Sequence, residues 1–170
     1  IRDSGYIEQL DDELLRISKE SFDALSFNCY ALSPDHEKMN HALEISGLPM
    51  IIGEYHFGTV DRGLAQSLWQ VNSQKERGDA FQYYTENAFA HRGLIGTGWF
   101  RWIDQNINGR TDGENYNCGF IDVTDRPYPY MVDAAIEAAK SLYEIHSGTK
   151  TPFHQAPNAV GHSPIPDLWE

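Results

Sequence analysis

The 170-residue sequence contains little cysteine and no long apolar run. Cys29 and Cys118 are too few for a disulfide framework, and no CxxC pair indicates zinc. Each has aromatic or apolar neighbours, so we expect two free thiols packed in the core. No apolar run approaches the roughly 20 residues of a membrane span, and no signal peptide opens the chain. The sequence therefore predicts neither a disulfide scaffold nor a membrane partner, and it leaves the compartment unknown.

Positive charge is also scarce. Thirteen Lys and Arg stand against 25 Asp and Glu, for a net charge of −12. Nucleic acids and anionic membrane surfaces are bound through basic patches, so this balance argues against both partners. A negative net charge is compatible with a neutral substrate but does not indicate a particular one.

Several catalytic motifs are missing. The sequence has no HExxH metal motif, no GxSxG elbow and no glycine-rich phosphate loop with lysine. His36 and His41 are five residues apart rather than four, and His56 and His91 are isolated. We therefore expect no metal site and no cofactor.

Helical and strand patterns alternate along the chain. We predict helices over 5–20, 33–47, 73–91 and 127–146, and strands over 23–32, 48–55 and 93–102. Ser33 is the expected N-cap of the second helix, and the last 22 residues form an irregular tail. Such alternation predicts parallel strands joined by helical crossovers, with functional side chains where the strands end.

Glu54 follows an apolar run in "PMIIGEYHFGTVDRG" and is surrounded by aromatic residues. A glutamate held there could be a nucleophile or a general base in a cleft. It could equally be a structural carboxylate paired with Arg62 or Arg101, because glutamate is rarely buried without a partner. The local sequence leaves both interpretations open.

Two further stretches could contact a substrate. In "GTGWFRWIDQ", glycines precede Trp99, whose indole we expect to point toward Glu54 as a flat apolar platform, although both Trp99 and Trp102 could be core residues. The polar stretch "GRTDGENYNCGF" could donate hydrogen bonds to hydroxyls or could be a solvated connection. It belongs to a loop of more than 20 residues, a length uncommon in a passive connector.

"NCY", "GEYHFGTVDRG", "GTGWFRWIDQ" and "GRTDGENYNCGFIDVTDRPYP" together resemble the last strands of clan A retaining glycoside hydrolases, and more narrowly their agarase-like and β-galactosidase-like members. These are (β/α)8 barrels, so the resemblance implies Glu54 as nucleophile at the end of the seventh strand. It implies a carbohydrate substrate and favours a secreted or periplasmic location. The residues it implies for substrate binding are Tyr30, His56, Trp99, Asp104, Gln105, Arg110 and Glu114, with Tyr30 orienting the carboxylate.

The chain departs from a whole barrel, which needs eight strands and about 250 residues. The family's acid/base glutamate ends the fourth strand after an asparagine, and no predicted strand here ends in Asn-Glu. We therefore expect residues 1–148 to form roughly strands six to eight, residues 149–170 a tail, and a second polypeptide or further N-terminal segment the rest. Two alternatives stay open: a non-catalytic carbohydrate-binding or scaffold subunit, and a barrel enzyme using Glu54 as a base on a carbonyl substrate.

Overall fold

The computed structural model describes residues 2–161, with residues 2–5 as backbone alone. The strands are β1 (Arg2–Tyr6), β2 (Leu25–Asn28), β3 (Met50–Tyr55), β4 (Trp69–Gln70), β5 (Leu94–Trp99) and β6 (Val160–Gly161). The helices are α1 (Asp12–Ser21), α2 (His36–Ser46), α3 (Gln74–Phe89) and α4 (Pro129–His146), and a 3-10 turn spans Ile7–Gln9. No helix in this range is long and apolar enough to cross a membrane.

The main sheet has four strands in the order β1-β2-β3-β5, and every neighbouring pair is parallel. This confirms a mixed α/β fold with helical crossovers. The four strands end on the same side of the sheet, because parallel strands share a direction. Cys29 and Cys118 are both buried free thiols, as the sequence predicted.

The first predicted helix, residues 5–20, is wrong in its first half. The chain runs as strand β1 to Tyr6, and the helix begins at Asp12. The Asp11 carboxylate accepts a hydrogen bond from the Leu14 backbone N–H at 2.7 Å, which starts the helix there. Ile7 is buried ahead of the helix, so its helical spacing with later residues was coincidental. The sheet therefore has a fourth parallel strand.

Three smaller features also differ from prediction. Asp35, not Ser33, caps α2, because its carboxylate accepts from the N–H groups of Glu37 and Lys38. The loop over 56–72 contains β4, which pairs antiparallel with β6 in the predicted tail. The tail is therefore not irregular throughout, and its predicted part beyond residue 161 lies outside the described residues.

The tail is also anchored to α3. The Phe153 N–H donates to Glu86 at 2.8 Å, and the Asn87 side chain donates to the Phe153 carbonyl at 3.0 Å. Glu86 is buried, so this bond satisfies a carboxylate removed from water. The segment after α4 is thereby fixed against the helix layer.

Aromatic packing joins the sheet to α3. The rings of Tyr55 and Tyr84 stack with centroids 4.1 Å apart, and Phe81 lies 6.2 Å from Tyr55. These rings belong to the hydrophobic core between β3 and α3. Tyr55 therefore points to the helix side of the sheet and anchors the strand that carries its neighbour Glu54.

Candidate active site

A cleft of about 190 Å³ opens where the strands of the main sheet end. It is lined by Tyr6, Tyr30, Glu54, His56, Leu68, Phe100, Arg110 and Glu114. The eight residues come from three loops and two strands, and five of them are residues that the sequence singled out. The chain leaves β5 toward the cleft through a cis peptide bond between Phe100 and Arg101.

Glu54 is held at the cleft by Tyr30. The Tyr30 hydroxyl donates to Glu54 Oε2 at 2.7 Å. Burial, followed by the contact with Glu54, raises the pKa of Tyr30, so the phenol stays protonated and keeps donating. Within the described residues Glu54 makes no ion pair, and Arg62 lies instead 3.9 Å from Asp61. The structural ion pair that the sequence left open is not formed.

His56 lines the cleft as a neutral ring. Its Nδ1 donates to the Phe100 carbonyl at 3.0 Å, and its Nε2 accepts from the Leu68 N–H at 3.2 Å. This arrangement requires the proton on Nδ1. Burial lowers the pKa of His56 to about 3. Both nitrogens are occupied, so His56 offers a substrate its ring surface and no polar atom.

Arg110 and Glu114, from the loop after β5, also line the cleft. Arg110 pairs with Asp112 and lies 3.4 Å from Glu114, and its guanidinium is 5.9 Å from the Phe100 ring centre. Hydrogen bonding to Asp112 is the main cause of its raised pKa, with a smaller contribution from Glu54. The cleft therefore holds a cation within electrostatic range of the Glu54 carboxylate.

Asp104 and Gln105, predicted to contact hydroxyls, lie away from the cleft in the protein interior. Asp104 accepts from Asn117 at 2.9 Å, Gly119 at 2.6 Å and Tyr128 at 2.6 Å. Gln105 donates to Glu114 and accepts from the Tyr116 N–H. Both side chains are buried and hydrogen-bonded within the protein, and neither is among the residues that line the cleft. Gln105 acts on the cleft only by holding Glu114.

Trp99 is not among the residues that line this cleft. Its indole N–H donates to the Cys118 carbonyl at 2.7 Å. Its ring contacts Tyr55 at 5.2 Å and Phe81 at 5.4 Å, on the α3 side of the sheet. The register between β3 and β5 shifts between Ile52 and Tyr55, and Trp99 is the partner of Tyr55 in this pairing. Trp102 is exposed and stacks on Phe120.

Three cleft residues were missed from the sequence: Tyr6, Leu68 and Phe100. Tyr6 was placed within a helix, because "RDSGY" has no apolar run to indicate a strand. Leu68 and Phe100 are ordinary apolar residues without a local signal. Only the pairing of β1 with β2 and the folded loops reveal these positions. Within residues 2–161, no group of three or more His, Cys, Asp or Glu could hold a metal ion.

The fold of the chain is similar to that of several solved structures. An exo-beta-agarase structure superposes with a TM-score of 0.75 at 36% identity, covering 81% of this chain and 19% of that one. The structure of PfGH50B superposes with a TM-score of 0.75 at 39% identity, covering 79% of this chain and 19% of that one. A beta-glucuronidase from an uncultured Clostridium sp. shares the fold at a TM-score of 0.55 and 18% identity, covering 77% and 25%.

The sequence is also similar to two curated proteins. Beta-agarase A of Vibrio sp. (strain JT0107) is 39% identical over 128 residues, 71% of this chain and 13% of that protein. Beta-agarase B of the same strain is 37% identical over 128 residues, with the same coverage. No family model matches the chain. The chain is homologous to a segment of beta-agarases, and it spans about 13% of the length of these curated relatives.

Proposed function

We propose that this chain carries the nucleophile side of a retaining glycoside hydrolase that cleaves agar-like, β-linked galactan. The observation that carries the proposal is Glu54, which ends β3 in the cleft, is oriented by Tyr30 at 2.7 Å and pairs with no cation among the described residues. An ionised carboxylate that is fixed but not neutralised is what attack on an anomeric carbon requires. Homology to beta-agarases supports the substrate class.

In the proposed reaction Glu54 attacks the anomeric carbon and a second carboxylic acid protonates the leaving oxygen. In retaining enzymes the two carboxyl groups lie about 5–5.5 Å apart. Tyr30 occupies Oε2 of Glu54, and Oε1 has no hydrogen-bond partner within the described residues. The hydroxyl of Tyr30 stabilises the carboxylate before attack and after its release by water. The acid/base group is supplied by another part of the assembled protein.

The arrangement of the sheet supports the proposed barrel. Its four strands are parallel and ordered by sequence, and no described strand pairs with the outer edge of β1 or β5. We assign β2, β3 and β5 to barrel strands six, seven and eight, and β1 to strand five. An open edge on a parallel sheet exposes unpaired backbone groups, which further strands would cover. A further segment or a second polypeptide supplies them.

An apolar groove of about 520 Å³ beside β5 supports the same assignment. It is lined mainly by apolar side chains of β5, α3 and α4. Ile95 is 57% exposed and Tyr143 is 91% exposed there. In the proposed barrel, the helix that follows the first strand packs into this groove and buries both side chains.

Replacing Glu54 with glutamine tests the function in the intact protein. E54Q keeps the shape of the side chain but cannot form the glycosyl-enzyme, so agar hydrolysis should fall by several orders of magnitude while sugar binding persists. E44Q, the same change at an exposed glutamate of α2, is the control and should leave turnover intact. Unchanged hydrolysis in E54Q would contradict the proposal, and binding without hydrolysis in the wild type would favour the carbohydrate-binding subunit.

Covalent trapping separates the glycosidase from a carbonyl enzyme that uses Glu54 as a base. A 2-fluoro galactoside with a good leaving group should add one glycosyl mass to the wild-type protein. Peptide mapping should place that mass on Glu54, and E54Q should remain unlabelled. Wild-type hydrolysis without labelling at Glu54 would contradict the nucleophile assignment.

A further inference from the structure

We propose that Tyr6 is a substrate-binding residue of the Glu54 cleft, where its ring and hydroxyl receive the sugar. This inference rests on the proposed function. Tyr6 ends β1, next to the strand that precedes Tyr30, and it lines the cleft together with Glu54. Its ring centre is 6.3 Å from that of Tyr30. The Tyr30 hydroxyl is hydrogen-bonded to Glu54, so Glu54, Tyr30 and Tyr6 line the cleft one after another.

The backbone of Tyr6 is fixed on both sides. Tyr6 is paired in parallel register with Asn28, and its N–H donates to Gln9 Oε1 at 3.1 Å. The ring is half-buried, so one part packs against the protein and another faces the cleft. A tyrosine held this way loses little conformational entropy when a ligand binds, which favours affinity.

The Tyr6 hydroxyl is available to a ligand. Within residues 6–161 its hydroxyl donates to no protein acceptor, so its proton is free for a ligand; the side chain takes part only as an acceptor, in the capping box with Gln9. Burial, followed by the charges of Glu54 and Glu114, raises its pKa, so it remains a donor at neutral pH. A sugar hydroxyl is a ready acceptor for it, and an aromatic face can cover the apolar C–H face of the same ring.

The other rings of the cleft are already engaged. Tyr30 donates its hydroxyl to Glu54, both nitrogens of His56 are hydrogen-bonded, and Phe100 lies beneath the Arg110 guanidinium. Trp99 packs on the helix side of the sheet. Among the described aromatic residues that line the cleft, Tyr6 is the one that combines a ring with a free donor.

The test measures binding of an agar-derived tetrasaccharide to the intact protein by calorimetry, in an E54Q background that prevents turnover. Y6A should raise Kd about tenfold to a hundredfold, because an aromatic contact and a hydrogen bond are both lost. Y6F keeps the ring and should raise Kd about threefold to tenfold. Tyr83, a half-buried tyrosine of α3 outside the cleft, supplies the control Y83A, which should bind normally.

Thermal unfolding of each variant separates binding from folding. If Y6A lowers the melting temperature so far that it is not folded, Y6F decides, because it removes one oxygen and keeps the packing. Folded Y6A and Y6F with unchanged Kd would overturn the inference while leaving E54Q to test the function. An intact wild-type protein that neither binds nor cleaves agar oligosaccharides would overturn the function and the inference together.

Discussion

At the residue scale, His56 shows how a titratable side chain can be made insensitive to pH. It is 2% exposed, and its two nitrogens connect the backbone of Phe100 and Leu68 on either side of the cleft. Protonation would turn Nε2 from acceptor to donor and break the bond from Leu68. The neutral ring therefore supports the cleft walls only as long as the fold excludes a proton from it.

The depressed pKa of His56 predicts loss of stability in mild acid. Its pKa falls from an ordinary 6.5 to about 3 in the folded state, so the unfolded chain binds more protons between these values. The contribution of His56 to the free energy of unfolding is fully present well above pH 6.5. It is lost as the pH falls from there toward 3. Between pH 7 and pH 5 the loss should be about 2 kcal/mol. His91, with its pKa lowered to about 4, adds in the same direction.

Urea unfolding at pH 7 and pH 5 checks this on the intact protein. H56N should be less stable at pH 7 yet lose about 2 kcal/mol less than the wild type between the two pH values. The exposed His41, paired with Asp12 on the surface, gives the control H41N, which should keep the wild-type slope. If H56N and the wild type lost the same free energy of unfolding between pH 7 and pH 5, a buried neutral His56 would be contradicted.

Tyr30 offers a second prediction at the same scale. Y30F removes the donor to Glu54 Oε2 but leaves the buried ring. Hydrogen bonds to charged groups contribute about 1.5–3 kcal/mol, so kcat on an agar oligosaccharide should fall about tenfold to a hundredfold. Y83F should turn over normally. A fall in stability without any change in kcat would show that Tyr30 only packs.

Local sequence identified some cleft residues and misplaced others for a physical reason. Glu54 and Tyr30 follow parallel strands, and strand ends converge in any such sheet. The sequence alone does not distinguish Asp104 and Gln105 from Arg110 and Glu114, since all four are polar residues of one long loop. Their roles separate only when the loop folds and Asn117 and Tyr128 take up the Asp104 carboxylate.

At the element scale, β3 and β5 approach each other closely through glycine. A Cβ on Gly98 would lie far inside van der Waals contact of the Gly53 carbonyl oxygen. On the same strand, a Cβ on Gly96 would meet only the Ile51 side chain, at an ordinary 3.8 Å. The two glycines therefore differ sharply in what they permit.

We expect G98A to destabilise the protein by about 1–3 kcal/mol, because backbone must shift to admit the methyl group. The shift would also move the strand end that carries Glu54, so activity should fall. G96A is the matched control and should change stability by less than about 0.5 kcal/mol. Denaturant unfolding measures both. Equal effects would mean that β3 and β5 are not packed as closely as described.

The loop that follows β5 is fixed by buried polar contacts. The Arg77 guanidinium of α3 donates to the carbonyls of Asn117 at 2.9 Å and Gly119 at 2.8 Å, and lies 4.4 Å from the Tyr128 ring centre. Asn117 also accepts from Gln74 at 2.8 Å. These contacts hold the loop against the first turns of α3. They thereby help to fix the position of Glu114, which belongs to the same loop.

Removing the Asp104 carboxylate should loosen this loop. D104A leaves the Gly119 N–H and the Tyr128 hydroxyl without their acceptor, and the Asn117 amide keeps only its bond to Tyr128, at a cost of about 3 kcal/mol. D133A, at an exposed aspartate of α4, is the control and should be nearly neutral. Thermal unfolding compares them. A stable D104A that bound sugar more weakly than wild type would instead return Asp104 to the substrate contacts.

The order of the helices, most of their extent and three of the parallel strands could be predicted because hydrophobic periodicity is local. Strand β1 could not, because "RDSGY" becomes a strand only by pairing with β2. Strands β4 and β6 are two residues each and exist only through each other. Elements defined by a distant partner carry little signal in their own residues.

At the scale of the whole molecule, both outer edges of the main sheet lack a neighbour among the described strands. β1 and β5 each have one paired edge among the described strands, and apolar side chains such as Ile95 and Tyr143 stand exposed beside β5. Parallel strands are normally buried on both faces and flanked by neighbours. An isolated sheet of this kind would attract other strands and other apolar surfaces.

The 170 residues produced alone should therefore self-associate and should not hydrolyse an unactivated glycoside. We expect sedimentation to show mass rising with concentration, and the double variant I95N/Y143S to reduce that association, because its groove no longer buries apolar surface. I17N, at an exposed residue of α1 away from the groove, should associate like the wild type. A monodisperse 19.3 kDa species with robust turnover would contradict both the open barrel and the need for a second carboxylate from outside this segment.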